Sequence, residues 1–333
     1  RSASSAYARI TPQSDSVDRL GDSVAVLQIV GNQSGVGKTS LASALLVTAN
    51  NAGKKVAYYK PFADGRTADP DVVFMSDLSE SLGCPAVPTP SNKSDSGNLG
   101  PVKAEISRLE SEAGTVVVEG PDGQAPYAFD SKVILVYQGA SDAVLASIAT
   151  ASPNLATVII NAVPIHRRDE VARGLTGQSV PITVLPESRG MLAVTVEQLA
   201  EHLGGQWVLS TENRNSPVER IMIGGNIMDA GPTYFDRYRN QAVITRVERP
   251  DIQMASMCEK TVCLVLTGPG EPTEYIKAEA LKREIPLIQV RTNTHDTAEA
   301  LAGLLDQADA RTTAKANHFA DLLARYATAQ ILD

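Results

Sequence analysis

The stretch VAVLQIVGNQSGVGKTSLASALL, residues 24–46, decides the fold of this chain. It joins an apolar run to a glycine-rich turn, and helix-like periodicity follows the turn. Such a turn between a strand and a helix exposes backbone N–H groups at the positive end of the helix, where a polyphosphate binds well. The sequence therefore predicts a phosphate-binding loop, because a turn that only reverses the chain does not require the pair Lys38 and Thr39.

The predicted nucleotide site is centred on this loop. Lys38 is expected to reach the β- and γ-phosphates as a catalytic residue, and the Thr39 hydroxyl is expected to ligate Mg²⁺. Gly31 and Gly37 are separated by five residues where the familiar pattern has four, and Asn32 stands where that pattern has its first glycine. The residues predicted to contact the nucleotide here are Gly31, Asn32, Gln33, Ser34, Gly35, Val36, Gly37, Lys38, Thr39 and Ser40.

The composition excludes several classes of function. The 333 residues are enough for about two domains at ~150 residues each, and the net charge is −8. This acidic balance, without a basic cluster, argues against a nucleic-acid partner. No apolar stretch approaches the ~18 residues of a membrane span, so we expect a cytoplasmic protein with no membrane partner. The three cysteines are scattered, which favours reduced thiols.

Short apolar runs alternate with helix-like segments along the chain. This alternation predicts a parallel sheet with helices on both faces, in an α/β fold. The polar stretch STENRNSP interrupts the pattern, and a smaller α/β set follows it. The last segment has apolar residues on one helical face and needs a partner surface. We expect a polar tail at 1–22, a phosphate-loop domain at 23–209, a linker at 210–217, a second domain at 218–310 and an amphipathic helix at 311–333.

Several motifs follow the loop in an order that resembles dethiobiotin synthetase and its relatives. GNQSGVGKTS is similar to their phosphate loop, which has the form GTxxxxGKT. VAYYKPFADG (56–65) resembles their second strand, which ends in Lys-Pro, and DPDVVFM (69–75) resembles their acidic turn. TVVVEGPDG (115–123) ends a strand in a glutamate, as the family does where it holds Mg²⁺. VIINAVP (158–164) and VLPES (184–188) resemble the two segments around adenine.

This resemblance implies a P-loop NTPase sheet and assigns roles to individual residues. It makes Lys60 a second catalytic lysine, offered to substrate or phosphate, although a strand-end lysine is also compatible with a solvated charge. It implies ATP and Mg²⁺ as cofactors, with Thr39, Asp71 and Glu119 as metal ligands. An aspartate that opens a helix is equally compatible with a simple N-cap. For adenine, the resemblance implies that the Asn161 side chain reads the base edge and that Pro186 lies beside the ring.

The second half resembles the DRTGG domain. PVERIMIGGNIMDAGPTYF (217–235) and QAVITRVERPDIQMASMCEKTVCLVLTGPGEPTEYI (241–276) carry the similarity. In long bacterial phosphate acetyltransferases this domain follows a dethiobiotin-synthetase-like domain, and LPESRGMLAVTVEQLAEHLGG (185–205) fits that lineage. The acetyltransferase catalytic domain has no counterpart among these 333 residues, so we expect no acetyl transfer from them.

The DRTGG-like segment departs from its relatives at the motif itself. Where they carry Gly-Gly-Asp-Arg, this chain has Arg-Val-Glu-Arg at 246–249, which predicts a stiffer loop. TGPG (267–270) follows a buried strand and is compatible with an anion or metabolite site or with a tight turn. Four charged residues at predicted element ends would form a small-molecule pocket or, as we favour, surface ion pairs: Glu219, Arg220, Arg249 and Asp251.

Two functions of different classes fit the sequence. The first is a nucleotide-dependent regulatory protein that binds ATP and Mg²⁺, with slow hydrolysis at most, and whose DRTGG-like domain senses a metabolite or docks a protein. The second is an ATP-dependent ligase that phosphorylates a carboxylate or carbamate. We favour the first, because the Ser-Pro-His segment of dethiobiotin synthetase has no match in 84–103 and Asp122 would repel an acidic substrate. Relatives of this fold often pair through their sheets, so we expect a homodimer.

Overall fold

The computed structural model describes residues 26–64, 68–123, 125–138, 154–225, 231–327 and 331–332. The tail expected at 1–22 lies outside these residues. The described residues form two α/β units, each with its own sheet and buried cores. Within these ranges, no helix has the length and apolarity that crossing a bilayer requires.

The first unit is built on a sheet of six parallel strands in the order β2-β5-β1-β6-β7-β8. Because β1 lies between strands that come later in the chain on both sides, its carboxyl end marks a change in winding direction, where open α/β sheets bind ligands. A short ladder of β3 and β4 lies beside the sheet. The strands are β1 (Val26–Gly31), β2 (Val56–Tyr59), β3 (Phe62–Ala63), β4 (Ser91–Asn92), β5 (Thr115–Asp122), β6 (Lys132–Gln138), β7 (Leu155–Val163) and β8 (Ile182–Pro186).

Helices cover both faces of this sheet, which confirms the predicted fold class. Leu27 and Ile29 of β1 pack in one core with Leu41 of the first helix, whereas Val26 packs on the opposite face with Leu109. Strands buried on both faces read as continuous apolar runs, as those of this chain do. The helices are α1 (Lys38–Asn51), α2 (Pro70–Ser81), α3 (Gly100–Ala113), α4 (Arg168–Gly174) and α5 (Arg189–Leu192).

The second unit has a five-stranded sheet in the order β10-β15-β14-β13-β12, in which β10 is antiparallel and the other strands are parallel. Its strands are β9 (Val194–Thr195), β10 (Gln206–Leu209), β11 (Pro217–Val218), β12 (Arg220–Gly224), β13 (Gln241–Arg246), β14 (Thr261–Thr267) and β15 (Leu287–Val290). β9 and β11 form a separate antiparallel pair. Its helices are α6 (Val196–His202), α7 (Gly231–Phe235), α8 (Pro250–Ser256), α9 (Glu274–Lys282) and α10 (Thr294–Glu299).

The second unit begins before the linker expected at 210–217. β10 pairs with β15, so that Trp207 lies opposite Ile288, and Leu199 of α6 is buried in the core of the second unit. The polar stretch 210–217 forms a 3₁₀ turn at Glu212–Asn215 and enters β11, all inside this unit. A polar loop connects strands of one sheet as readily as it connects two domains, so composition alone placed the boundary too late.

The last helix returns to the first unit. α11 (Thr313–Tyr326) packs against α1, and its buried residues Phe319 and Leu323 belong to the same core as Leu41. The Thr312 hydroxyl caps the helix by accepting a hydrogen bond from the Lys315 N–H at 3.2 Å. The partner surface that the amphipathic pattern required is therefore the first unit itself, and the second unit is an insertion between α5 and α11.

The cysteines are free thiols, as their scatter predicted. Cys84 and Cys258 are partly exposed, whereas Cys263 in β14 is buried. Burial raises the pKa of the Cys263 thiol to about 12. This thiol is therefore a small apolar core group at neutral pH.

Candidate nucleotide-binding site

The glycine-rich loop leads from β1 directly into α1, whose first residue is Lys38. Gly37 precedes the helix with φ at 102°, a conformation that residues with a side chain rarely adopt. A Cβ atom at Gly37 would lie 2.6 Å from Nδ2 of Asn161, and a Cβ atom at Gly31 would lie 2.7 Å from Cγ2 of Val36. Both glycines are thus required by close packing, and the predicted strand, loop and helix are present.

Asn161, near the end of β7, is hydrogen-bonded to the loop. Its Nδ2 donates to the carbonyl oxygen of Val36 at 2.9 Å, and its Oδ1 accepts from the N–H of Ala162 at 2.9 Å. Ala162 has φ at 55°, which is uncommon for a residue with a Cβ atom. The amide expected to read adenine therefore contacts the phosphate loop in this structure. Pro186, the other expected adenine contact, is buried at the end of β8 beside Val163.

A cleft of about 580 Å³ lies between the loop and the carboxyl ends of the strands. From the loop it is lined by Ser34, Gly35, Gly37, Lys38, Thr39 and Ser40, and from other elements by Lys60, Asp71 and Glu119. The predicted residues that do not line it are Gly31, Asn32, Gln33, Val36, Asn161 and Pro186. Oδ1 of Asn32 is buried with no hydrogen-bond partner among the described residues, while its backbone N–H donates to the Val136 carbonyl at 3.2 Å.

Lys60, directly after β2, lies among three carboxylates. Its Nζ is 2.8 Å from Oδ2 of Asp69, 2.7 Å from Oδ2 of Asp71 and 3.8 Å from Oε1 of Glu119. Burial lowers the pKa of Lys60, but the charge of Glu119 and the hydrogen bonds to Asp69 and Asp71 outweigh it and raise the pKa above its ordinary value. The side chain is 15% exposed, so Lys60 is an enclosed cation and not a solvated charge at the sheet edge.

The N-cap of α2 is Asp69, not Asp71. The Asp69 carboxylate accepts from the N–H groups of Asp71 at 2.9 Å and Val72 at 3.3 Å. The hydrogen bond from Lys60 outweighs partial burial and lowers the pKa of Asp69. Asp71 is thereby left with its carboxylate directed at Lys60 and at Arg311, whose Nη1 lies 3.5 Å from Oδ1. The capping alternative for Asp71 is excluded.

The carboxylate of Glu119 connects β5 to the start of α1 through hydrogen bonds. Its Oε2 accepts hydrogen bonds from the Thr39 hydroxyl at 3.0 Å and from the buried Tyr58 hydroxyl at 2.8 Å. Burial raises the pKa of Glu119, and the positive charge of Lys60 opposes that rise. Glu119 is 6% exposed, so its carboxylate is held in one place.

The oxygen atoms near the loop fit Mg²⁺. Thr39, Asp71 and Glu119 offer a hydroxyl and two carboxylates, and Mg²⁺ bound with a nucleotide commonly takes one or two carboxylates plus phosphate and water. Across the described ranges, no group of three or more His, Cys, Asp or Glu side chains is arranged to hold a metal alone. A Mg²⁺ ion at this position would therefore need phosphate or water ligands.

The ammonium of Lys38 is paired with the Asp122 carboxylate at the end of β5. The Lys38 side chain is 11% exposed and that of Asp122 is 45% exposed, so the pair lies at the cleft mouth. Sequence reasoning considered Asp122 only as a charge near the substrate. It did not foresee that Asp122 engages the lysine expected to reach the phosphates.

Sequence reasoning also missed one wall of the cleft. Residues 308–311, which lead from the second unit to α11, also line the cleft. Arg311 reaches Asp71, which is 240 positions away in the chain. No local sequence pattern predicts such a contact. Tyr58 was also missed, although its place near the end of a buried strand was a usable signal.

Of the four charged residues singled out in the second unit, two form the favoured ion pair among the described residues, and Glu219 instead accepts a hydrogen bond from Nδ2 of Asn240 at 2.8 Å. Arg249 forms an ion pair with Asp251 at 2.7 Å, as favoured from the sequence, and the Arg220 guanidinium stacks 4.1 Å from the ring centre of Tyr238. In TGPG, Gly268 has φ at 106° and its N–H donates to the carbonyl oxygens of Val290 and Thr292, each at 3.0 Å. The stretch bends at the end of β14 and is bonded to the neighbouring strand, since Nε2 of Gln289 also donates to the Gly268 carbonyl at 3.1 Å.

Comparison with known proteins matches both units. Residues 25–189 match the family described as an AAA domain, and residues 198–304 match the DRTGG domain. Among solved structures, similarity is found to the CBS and DRTGG domains of the regulatory region of a pyrophosphatase from Clostridium perfringens, complexed with its activator diadenosine tetraphosphate. That similarity has 17% identity and a TM-score of 0.29, and it covers 36% of this chain and 50% of that chain. The chain thus joins a P-loop domain of the AAA type to a DRTGG domain.

Proposed function

We propose that this chain is a nucleotide-dependent regulatory protein whose P-loop domain binds ATP with Mg²⁺ and whose DRTGG domain responds to a metabolite or a protein partner. The observation that supports this best is the convergence of Lys38, Thr39, Lys60, Asp71 and Glu119 on one cleft. The same cleft is closed on one side by the segment that follows the DRTGG domain, so a nucleotide there would contact both parts of the chain.

In this proposal the loop N–H groups and Lys38 hold the β- and γ-phosphates, because they lie at the N-terminus of α1. Thr39, Asp71 and Glu119 hold Mg²⁺, which neutralises phosphate charge when bound. Lys60 is placed beside the metal ligands and offers a second positive charge to the terminal phosphate. Asn161 holds the loop through the hydrogen bond from its Nδ2 to the Val36 carbonyl.

We expect slow turnover because carboxylates already balance the positive charges of the two lysines in the free protein. Lys38 is engaged by Asp122, and Lys60 is surrounded by Asp69, Asp71 and Glu119. Positive charge that is already balanced in the free protein contributes less to a developing negative charge than uncompensated charge does. A site that binds and releases ATP, with slow hydrolysis at most, suits a regulator.

A ligase is the second candidate, and one observation favours it. The cleft continues past the phosphate loop to Lys93, Ser96 and Tyr127, which leaves space for an acceptor beside the phosphates. In that case Lys60 would act on a carboxylate or carbamate as it receives the phosphoryl group.

Titration calorimetry with Mg-ATP and a coupled assay of ADP release separate the two functions. Binding without stimulation by any carboxylate and diamine in a panel supports the regulator, whereas strong stimulation by one pair supports the ligase. Lys38→Ala should abolish nucleotide binding in both cases. Lys60→Ala should abolish stimulated turnover only in a ligase. Lys103→Ala, on the exposed face of α3, serves as the matched control. Absence of Mg-ATP binding to the unmutated protein would refute both functions.

We propose further that the protein is a homodimer, in line with its resemblance to dethiobiotin synthetase. Light scattering coupled to size-exclusion chromatography, with and without Mg-ATP, measures the mass of the particle directly. A mass equal to that of one chain under both conditions would exclude the dimer.

A further inference from the structure

We propose that Arg311 is a ligand of the terminal phosphate of the nucleotide, brought into the P-loop cleft by the segment that joins the DRTGG domain to α11. The inference rests on the proposed function, because it requires a nucleotide in this cleft. It adds a phosphate contact from outside the P-loop sheet and the loop itself. It also gives the DRTGG domain a physical connection to the nucleotide.

The position of Arg311 relative to the expected metal site carries the argument. Its Nη1 lies 3.5 Å from Oδ1 of Asp71, and Oδ2 of the same carboxylate accepts from Lys60 Nζ at 2.7 Å. Asp71 thus separates two cations that face the same part of the cleft. Because Lys60 also lies 3.8 Å from Glu119, Arg311 stands on the side of the cleft where the metal-bound phosphate is expected.

Short hydrogen bonds fix the backbone N–H and Nε of Arg311, whereas no short hydrogen bond fixes its terminal nitrogens. Asp309 accepts hydrogen bonds through Oδ1 from both the Arg311 backbone N–H at 2.9 Å and Nε at 2.8 Å. Among the described residues, Nη2 has no hydrogen-bond partner and Nη1 has only the long contact with Asp71. The guanidinium therefore retains donors for a ligand, and the side chain, which is 36% exposed, can reach one without breaking its anchor.

Phosphate is the ligand chemistry that this arrangement fits. When Asp71 turns to a metal ion, Lys60 and Arg311 both lose a carboxylate partner at the same place. A phosphate oxygen supplies the negative charge that both cations have lost. The planar guanidinium binds phosphate through two parallel hydrogen bonds. The loop and Lys38 hold the β- and γ-phosphates in the proposed function, and Arg311 is assigned to the γ-phosphate as a further contact because it lies beside Asp71.

The chain path turns this contact into a connection between the domains. Leu304 is buried in the core of the second unit, and Phe319 is buried in the core of the first. Arg311 lies on the short segment between these two anchors. A shift of the DRTGG domain therefore moves Arg311 relative to the loop, and binding of the terminal phosphate in turn biases the position of that domain.

The test compares two nucleotides on the full chain. Titration calorimetry measures the Kd of a non-hydrolysable ATP analogue and of ADP, each with Mg²⁺, for the unmutated protein and for Arg311→Ala. We expect the variant to bind the ATP analogue about tenfold more weakly, as for loss of a charged hydrogen bond, and ADP within about twofold of the unmutated protein. Arg311→Lys should fall between them. Arg325→Ala, an exposed change on α11 outside the cleft, should alter neither value.

Each result decides a separate question. If the unmutated protein binds neither nucleotide, the proposed function fails and the inference fails with it. If it binds both and Arg311→Ala is unchanged, only the role of Arg311 is refuted. Equal weakening towards ATP analogue and ADP assigns Arg311 to the structure of the cleft and also refutes the inference. Circular dichroism verifies folding, and if Arg311→Ala does not fold, Arg311→Lys is judged by the same ratio of the two Kd values.

Discussion

The Lys38 ammonium is held by the Asp122 carboxylate, although 84 positions separate the two residues in the chain. Lys38 begins α1 and Asp122 ends β5, so parallel pairing of β1 with β5 brings them together. A phosphate that binds Lys38 therefore meets a carboxylate that is already paired with the same ammonium. In the proposed nucleotide site, this negative charge lies at the mouth of the cleft.

Removing the charge of Asp122 should therefore strengthen nucleotide binding. We expect Asp122→Asn to lower the Kd for Mg-ATP about two- to fivefold, the scale of a half-exposed ion pair. Titration calorimetry at low ionic strength measures the change, and added salt should reduce it. Asp130→Asn, an exposed change outside the cleft, is the control. Weaker binding in Asp122→Asn would show that Asp122 helps to hold the ligand.

Glu119 should account for the dependence of binding on Mg²⁺. Glu119→Gln keeps the size of the side chain and removes the charge that a metal needs, so we expect about a tenfold loss in the gain of ATP affinity that Mg²⁺ provides. The measurement is the ratio of the ATP Kd with excess chelator to that with Mg²⁺. Glu201→Gln, exposed on α6, should keep the ratio of the unmutated protein. An unchanged ratio in Glu119→Gln would remove Glu119 from the metal site.

The contact between α11 and α1 should stabilise the first unit strongly. Phe319 is 2% exposed, and truncation of a buried phenylalanine costs about 3–5 kcal/mol of unfolding free energy. Urea denaturation of Phe319→Ala should show that loss. Leu305→Ala removes an exposed side chain, 58% accessible, and should cost well under about 1 kcal/mol. Similar midpoints for both variants would mean that α11 does not dock in solution.

The thiols should report on the integrity of the second sheet. A disulfide reagent at neutral pH should titrate the partly exposed Cys84 and Cys258 in the native protein. Cys263 should react only after unfolding, because burial raises its pKa to about 12 and excludes the reagent. Counting thiols with and without guanidinium, for the unmutated protein and for Cys263→Ala, tests this. Native-state reaction of Cys263 would indicate that β14 opens readily.

Features that depend on local spacing were predictable from the sequence. The strand, glycine loop and helix around Lys38 follow from residues that are neighbours in the chain, and the buried part of β5 that leads to Glu119 follows from an apolar run of the same kind. Parallel strands place their carboxyl ends at one edge of the sheet, which is why Lys60 after β2 lies close to Glu119 in β5. The pairs that Glu119 makes with Thr39 and Lys60 are consistent with that reasoning.

Features that depend on which distant surfaces meet were not predictable. β10 has the length and polarity of a strand in either unit, and only its pairing with β15 places it in the second. The amide of Asn161 has the chemistry to read a base, and its hydrogen bond to the Val36 carbonyl in this structure has no sequence signal. Arg311 has no motif, and its place in the cleft follows from the docking of α11.

The insertion of the DRTGG domain between α5 and α11 limits how it can move. Two crossings of the chain attach it to the P-loop domain, one from α5 into β9 and the other from Gln307 to Thr312. A body attached at two points has less freedom to turn than a body attached at one. The second crossing lines the cleft and carries Arg311. The same few residues thus serve both as a tether of the inserted domain and as a wall of the cleft.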